Sequence, residues 1–372
     1  MDHRECLAAP AMSAPPSPFG AADRSFLIPR RQGQVDLPRI RASFRTLKPS
    51  NQRGCRLLLG ILSLVLLAPP SKAQTTYTAI QDVSSFGWLD QYSLNTPDFS
   101  FIGHNACVPT SSVNVMTYLQ KAAPDYFGTD LTGLMYADWI DADTTLSAPG
   151  YMNTSPDSGT AYNRLHFGLN KYVVQDLGFT EVQFSGMIPE SVWSATPPPE
   201  PRPATIADSL PTWQYLYDSL TSGSGTVLGL TYTSLTAGHA ISLGGFDWTD
   251  LNGDGRIDFD ENAQLHFVDP LDPTRGTDPI GGAKFTTGRI WEVEIPDPTN
   301  SAVVYNTLEL AYEQYHGTDL WGGALGGSTS YGPASAYLTT AVAMTVPEPS
   351  TYALLGLGGV AVIMFLRRKK TA

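Results

Sequence analysis

The chain has 372 residues, of which 42% are hydrophobic and 16% are charged. This composition is typical of a globular protein with one large domain or two small ones. Residues 74–366 hold 8 Lys or Arg against 31 Asp or Glu. A body this acidic excludes nucleic acid as a partner, because nucleic acid requires a basic surface.

Residues 1–73 are predicted to be an N-terminal extension followed by a secretory signal peptide. The extension shows no sustained hydrophobic period. Two arginines then precede an apolar run at 57–68, and a small-x-small cleavage pattern ends at Ala73. We therefore expect an exported chain whose one remaining cysteine is Cys107. An uncleaved membrane anchor is the alternative, which the shortness of the apolar run disfavours.

The exported chain is predicted to form an α+β domain over residues 74–316, because helical patterns come first and strand patterns follow. Pro109 suits a first helical turn, so a helix is expected to start near Val108. Further helices are predicted at 131–140, 161–177, 213–220 and 308–315. Strands are predicted at 225–232, 238–248, 265–270 and 288–295. Residues 317–345, rich in Gly, Ser and Ala, are predicted to be a linker or a late pair of strands.

Residues 250–261 fit the twelve-residue calcium loop of an EF-hand, with Gly255 at the sharp turn. The expected ligands of Ca²⁺ are oxygen atoms of Asp250, Asn252, Asp254, Arg256 (through its carbonyl), Asp258 and Glu261. A strand, not a helix, leads into the loop. We therefore expect one structural Ca²⁺ in a hairpin connection, where it would hold His239 and Asp269 in register. An acidic turn without a metal is the alternative.

The last residues, 346–372, combine three parts: the tripeptide Pro347-Glu348-Pro349, an apolar run at 351–366 and four consecutive basic residues. This tail resembles the PEP-CTERM sorting signal of Gram-negative bacteria. The resemblance implies an exosortase as a partner and removal of the tail. The apolar run is predicted to be a transmembrane helix with its basic end in the cytoplasm, which would anchor the chain in the cell envelope at least transiently.

Three residues far apart in the sequence are candidates for nucleophilic catalysis: Cys107, His239 and Asp269. A helix N-terminus and a neighbouring imidazole both favour the reactive thiolate. His239 would take the thiol proton and return it to the leaving group. Asp269 would orient the imidazole. Each residue alone also has a structural interpretation: a buried cysteine, a buried histidine and a strand-ending turn.

The segments around these residues share a family resemblance. Cys-x-Pro-Thr-Ser at 107–111, Gly-His-Ala-Ile-x-Leu-x-Gly at 238–245 and Val-Asp-Pro at 268–270 resemble a papain-like cysteine peptidase. The similarity is to bacteriocin-leader-processing peptidases and the streptococcal immunoglobulin-cleaving peptidase. It implies a papain-like fold, in which an N-terminal helix carries the cysteine and an antiparallel sheet carries the histidine and the aspartate. It also implies cleavage of a protein or peptide substrate that the sequence does not identify.

One position departs from the family. Many papain-like enzymes place an oxyanion-hole glutamine about six residues before the cysteine, where this chain has Phe101. Gln91 and Asn105 are the candidate substitutes, together with the backbone N–H of Cys107. Three alternatives stay open: a transglutaminase-like acyl transfer, a zinc site that includes His104, and a non-catalytic matrix or surface-binding protein.

Overall fold

The computed structural model describes residues 74–91, 105–195, 200–233, 237–271, 283–296, 304–316 and 330–346. All of them belong to the unit that begins at Gln74, the residue predicted to start the exported chain. Within these ranges no helix combines the length and the hydropathy needed to cross a bilayer. The predicted extension, signal peptide and transmembrane helix at 351–366 lie outside the described residues.

One sheet holds all nine strands of the described chain. The strands are β1 (Thr75–Ile80), β2 (Gln183–Met187), β3 (Ile206–Ala207), β4 (Gly225–Tyr232), β5 (Gly238–Asp250), β6 (Gln264–Val268), β7 (Thr286–Pro296), β8 (Val304–His316) and β9 (Ser330–Thr345). Strands β4 to β9 close into an antiparallel ring: each pairs with the next, and β9 pairs back with β4. Outside the ring, β1 pairs with the second half of β5, and β2 joins the end of β9 to β3.

The helices of the described chain are few and mostly short. They are α1 (Cys107–Ala122), α2 (Pro124–Phe127), α3 (Tyr136–Ser147), α4 (Asn163–Leu169), α5 (Glu190–Trp193) and α6 (Trp213–Thr221). A π-helical segment, Asn170–Asp176, continues α4, and single 3₁₀ turns lie at Val83–Ser85 and Phe259–Glu261.

Two buried clusters lie on opposite faces of the ring strands, because successive side chains of a strand point to opposite sides. One cluster joins alternating residues of β4, β5, β6 and β8 with α6: Leu228, Leu230, Ile241, Leu243, Leu265, Phe267, Leu308, Leu310, Leu216 and Leu220. The other cluster joins the intervening residues Val227 and Ala240 to α1, α3 and α4. Helices α1, α3 and α4 therefore cover one face of the sheet at β4 and β5.

Helix α1 is fixed against β5 by reciprocal hydrogen bonds as well as by packing. The Ser111 hydroxyl donates to the carbonyl of Ala240 at 2.9 Å, and the Ser242 hydroxyl donates to the carbonyl of Ser111 at 3.0 Å. The helix also lies close to β4, since a Cβ added to Gly225 would be 2.5 Å from Val115. These contacts fix the start of α1 relative to the start of β5.

The expected papain-like α+β fold is wrong, because a closed antiparallel ring with few helices takes its place. Part of the error lies at 308–315, predicted as a helix and found within β8. Its Leu, Glu, Ala and Gln residues have high helix propensity, but pairing with β7 on one side and β9 on the other overrides that preference. The segment 317–345 contains β9, so the domain extends past residue 316 to the strand that closes the ring.

Other predicted elements are confirmed. Strands β4, β5, β6 and β7 were all predicted. In that order, they correspond to the predictions at 225–232, 238–248, 265–270 and 288–295. The helix predicted from Val108 is α1, and the helix predicted at 213–220 is α6. The helix predicted at 161–177 corresponds to α4 together with its π-helical continuation. The helix predicted at 131–140 begins later, at Tyr136, and runs on to Ser147.

A carboxyl group is buried beneath the first turn of α1. Asp143 on α3 is fully buried, and its Oδ2 accepts a hydrogen bond from the Thr110 hydroxyl at 2.8 Å. Burial raises the pKa of Asp143 to about 8, although the hydrogen bond from Thr110 opposes that shift. The folded protein therefore keeps this group neutral at pH 7, whereas the unfolded chain ionises it.

The substitution Asp143→Asn tests this assignment because it removes the titration and keeps an acceptor for Thr110. The pKa of Asp143 is higher in the folded state than in the unfolded chain. The contribution of Asp143 to stability is therefore complete below pH ~4. As the pH rises from there to about 8, the free energy of unfolding falls by about 1.4 kcal/mol per pH unit. We expect the variant to lack this decline in urea-unfolding curves measured between pH 4 and pH 9.

The exposed Asp125 gives the matched control, since Asp125→Asn should leave the pH dependence of the native protein unchanged. Unfolding free energies of Asp143→Asn that decline with pH as steeply as those of the native protein would contradict the assignment.

Candidate active site

Cys107 is the first residue of α1 and is partly exposed. The residue before it, Ala106, provides no side-chain cap, and the first turn carries no acidic residue. The N-terminal N–H groups of a helix carry a partial positive charge. The thiol therefore lies where the backbone favours a negative charge.

His239 and Asp269 meet at one end of the β5–β6 hairpin. In this hairpin Ser242 pairs with Val268, so His239 near the start of β5 and Asp269 just after β6 lie at the same end. The imidazole Nε2 and the Asp269 Oδ1 are 2.8 Å apart, and both side chains are 2% exposed. The same Oδ1 accepts a hydrogen bond from the N–H of Leu271 at 2.9 Å, which fixes the carboxylate.

The thiol of Cys107 completes the group, because it lies close enough to the His239 side chain to raise the pKa of the imidazole. Because Nε2 of the imidazole is occupied by Asp269, this contact falls to Nδ1. The structure thus brings together the three residues predicted as the catalytic group, although the surrounding fold is not the expected one.

The environment of the imidazole favours its charged form. Burial alone would lower the pKa of His239. Its neighbours Tyr232, Asp269 and Cys107 have the opposite effect. Together they outweigh burial and raise the pKa of His239 well above its ordinary value. The ring of Tyr232 lies nearly parallel to the imidazole, with the planes at 9° and the centroids 6.4 Å apart. An imidazolium beside a thiol stabilises the thiolate.

The two predicted oxyanion donors lie in different environments. Gln91 is 2% exposed, and its backbone N–H donates to the carbonyl of Pro270, the residue after Asp269. Asn105 lies two residues before Cys107, and its side-chain amide donates to the carbonyl of Pro156. Gln91 therefore lies beside the catalytic group, while the amide of Asn105 holds a neighbouring loop. Phe101 and His104 lie outside the described residues.

The predicted calcium loop connects β5 to β6, with Asp250 as the last residue of β5. Both oxygens of Asp250 accept backbone N–H groups, from Gly253 at 2.5 Å and Gly255 at 2.9 Å. Glu261 accepts the N–H of Leu251 and the indole N–H of Trp248, both at 2.8 Å. Both carboxylates are buried, at 4% and 8% exposure.

The other predicted ligands bond within the loop or beside it. Asn252 donates to Asp258 at 2.9 Å and accepts the N–H of Asp254 at 2.8 Å. Asp254 accepts the N–H of Arg256, whose guanidinium reaches Glu292 at 3.2 Å. Across the described ranges, no three His, Cys, Asp or Glu side chains converge as a metal site.

Sequence reasoning missed two residues of the site, Tyr162 and Tyr232. The Tyr162 hydroxyl donates to the carbonyls of Leu230 and His239. No motif marks either tyrosine. Tyr232 reaches His239 because β4 pairs with β5, and Tyr162 reaches it through the loop that precedes α4. The one local signal is the glycine before His239, which leaves room for the ring of Tyr162.

Comparison with known proteins bears on the C-terminus. Residues 345–369 match the family model of the PEP-CTERM protein-sorting motif. This is an exosortase-sorted, exported surface protein. The match includes the predicted tripeptide Pro347-Glu348-Pro349 and confirms the sorting signal of this PEP-CTERM protein. No curated protein and no solved structure matches the chain.

Proposed function

We propose that this PEP-CTERM protein is a cysteine hydrolase that cleaves peptide bonds at the cell surface. One observation carries the proposal: a partly exposed thiol at a helix N-terminus lies beside a histidine, which is itself held by a buried aspartate at 2.8 Å. A nucleophile, a base and an orienting residue in this order of contact are the parts that covalent catalysis requires.

In the proposed reaction the Cys107 thiolate attacks the carbonyl carbon of a peptide bond. The imidazolium of His239 gives its Nδ1 proton to the leaving amine, and a thioester with Cys107 remains. Neutral His239 then takes a proton from water, whose oxygen attacks the thioester carbon. The acid product leaves, and the thiolate and imidazolium are restored.

Asp269 and the backbone of α1 have supporting roles in this scheme. The carboxylate fixes the orientation of the imidazole and stabilises its charge through Nε2. The N–H of Cys107 and the side chain of Gln91 are the proposed donors to the oxyanion that forms during attack. Asn105 is the weaker candidate, because its amide already donates to Pro156.

Alkylation by iodoacetamide tests the thiol directly, followed on the Cys107 peptide of the purified protein by mass spectrometry. We expect alkylation to proceed well below pH ~8.5, where an unperturbed thiol ionises. His239→Ala should move the profile upward to that range, and Asp269→Asn should move it part of the way. His266→Ala is the matched control, since His266 lies on β6 and bonds Thr287.

A Cys107 that reacts only after denaturant is added, or a profile that His239→Ala leaves in place, would reject the hydrolase. The rival is a non-catalytic protein that binds matrix or surface components. The engagement of Asn105 by Pro156 favours this rival, because it removes one of the two candidate oxyanion donors.

We also propose that the loop at 250–261 binds one structural Ca²⁺. Asp250 and Glu261 are buried carboxylates whose hydrogen bonds, as far as the structure describes them, come from neutral N–H groups. Two buried negative charges favour a cation between them. The donor set of carboxylate, amide and carbonyl oxygens suits Ca²⁺, which coordinates six to eight oxygens. When bound, the ion would stiffen the connection between the strands that carry His239 and Asp269.

Thermal unfolding with and without calcium tests this site. At a calcium concentration of about 100 times the dissociation constant, binding stabilises the folded state by about 2.7 kcal/mol, so the melting temperature should rise by about 5 °C or more. The fluorescence of Trp248, whose indole donates to Glu261, should change in the same titration. Glu261→Gln should reduce both responses, while Glu294→Gln, at an exposed position on β7, should not. No shift in the native protein at millimolar calcium would exclude the site.

We further infer that residues 351–366 anchor the chain in a Gram-negative envelope until the tail is removed. The support is the apolar run with its four following basic residues and the matched sorting motif. Intact mass spectrometry of the protein recovered from the cell surface should show loss of the basic C-terminus. A full-length mass would contradict removal of the tail.

A further inference from the structure

We propose that Tyr162 is a positioning residue that sets the imidazole of His239 for Cys107; this inference rests on the proposed function. Tyr162 immediately precedes α4. Its hydroxyl donates to the carbonyl of Leu230 at 2.7 Å and to the carbonyl of His239 at 2.9 Å. One proton is thus shared between two carbonyl oxygens, one on β4 and one on β5.

These two carbonyls belong to directly opposed residues, because Leu230 pairs with His239 across β4 and β5. The register of β4 against β9 shifts between Gly229 and Leu230, and such irregularities re-aim backbone groups. His239 lies beyond the part of β5 that pairs with β6, which starts at Ser242. The hydroxyl therefore fixes the backbone of His239 where neighbouring strands hold it least.

Two glycines make room for the tyrosine ring. A Cβ added to Gly229 would lie 2.7 Å from Cε1 of Tyr162, and a Cβ added to Gly238 would lie 2.8 Å from its hydroxyl oxygen. Gly238 is the residue immediately before His239. Side chains at either position would displace the ring, so the backbone around His239 is shaped to accept this contact.

The loop before Tyr162 also contacts the chain next to Cys107. The side-chain amide of Asn105 donates to the carbonyl of Pro156, and Gly159 packs against the backbone of Asn105. The segment 156–162 therefore contacts both the approach to the nucleophile and the backbone of the base. This bridge, together with the contacts of Ser111 on β5, holds the two groups at a constant separation.

The hydroxyl stays a donor over the working pH range. Burial, with Cys107 and Tyr232 as further neighbours, raises the pKa of Tyr162 well above its ordinary value. An ionised tyrosine could not donate to the two carbonyls, so a persistently protonated hydroxyl is what this contact requires.

The variant Tyr162→Phe tests the inference, because it keeps the ring over Gly229 and Gly238 and removes only the hydroxyl. Loss of a hydrogen bond of ordinary strength should slow alkylation of Cys107 at pH 7 by about threefold to tenfold and move its pH profile upward. The matched control is Tyr215→Phe, which removes a hydroxyl that contacts Ser185 away from the site. That control should leave the profile in place. Comparable melting temperatures of the two variants would show that both are folded.

The outcomes separate the two proposals. If His239→Ala shifts the alkylation profile and Tyr162→Phe does not, the positioning role is wrong and the hydrolase stands. If neither substitution shifts it, both proposals fail together. If Tyr162→Phe and Tyr215→Phe slow alkylation equally, the effect of Tyr162 is a general loss of stability, and the positioning role is rejected.

Discussion

The pairing of β5 is the constraint on which the site depends. Over its thirteen residues, β5 pairs with β4, β6 and β1 in turn, and α1 packs on its face. His239 lies near its start and Asp250 at its end. Helix α1, which carries Cys107, is bonded to the residue after His239. One strand thus fixes His239, Cys107 and the acidic loop in a common frame.

Two buried carboxyl groups lie near the start of α1, and their neighbours differ. Asp269 lies 2.8 Å from the imidazole Nε2 of His239. Asp143 faces the hydroxyl of Thr110, and burial dominates, so its pKa rises to about 8. A neutral Asp143 adds no negative charge beneath the start of α1, where Cys107 lies.

The sequence was enough to find most of the local elements and to single out three residues that the structure brings together. Strand patterns located β4 to β7, and helical spacing located α1, because these signals depend on near neighbours. Cys107, His239 and Asp269 were found through motifs that the resemblance supplied. The ring was not found, because its closure depends on β9 pairing with β4, more than a hundred residues away. The role of Tyr162 was missed for the same reason, since its partners are carbonyls on strands far along the chain.

The order of the strands has a consequence for how the protein is made. Strand β9 ends at Thr345, the residue where the matched sorting motif begins, so the ring is completed by the last part of the domain to be synthesised. Until that strand arrives, β4 and β8 each present an open edge, and open edges pair with other chains. Closure of the ring therefore requires the polypeptide up to the last strand. In the sequence, the matched sorting motif begins at the last residue of β9.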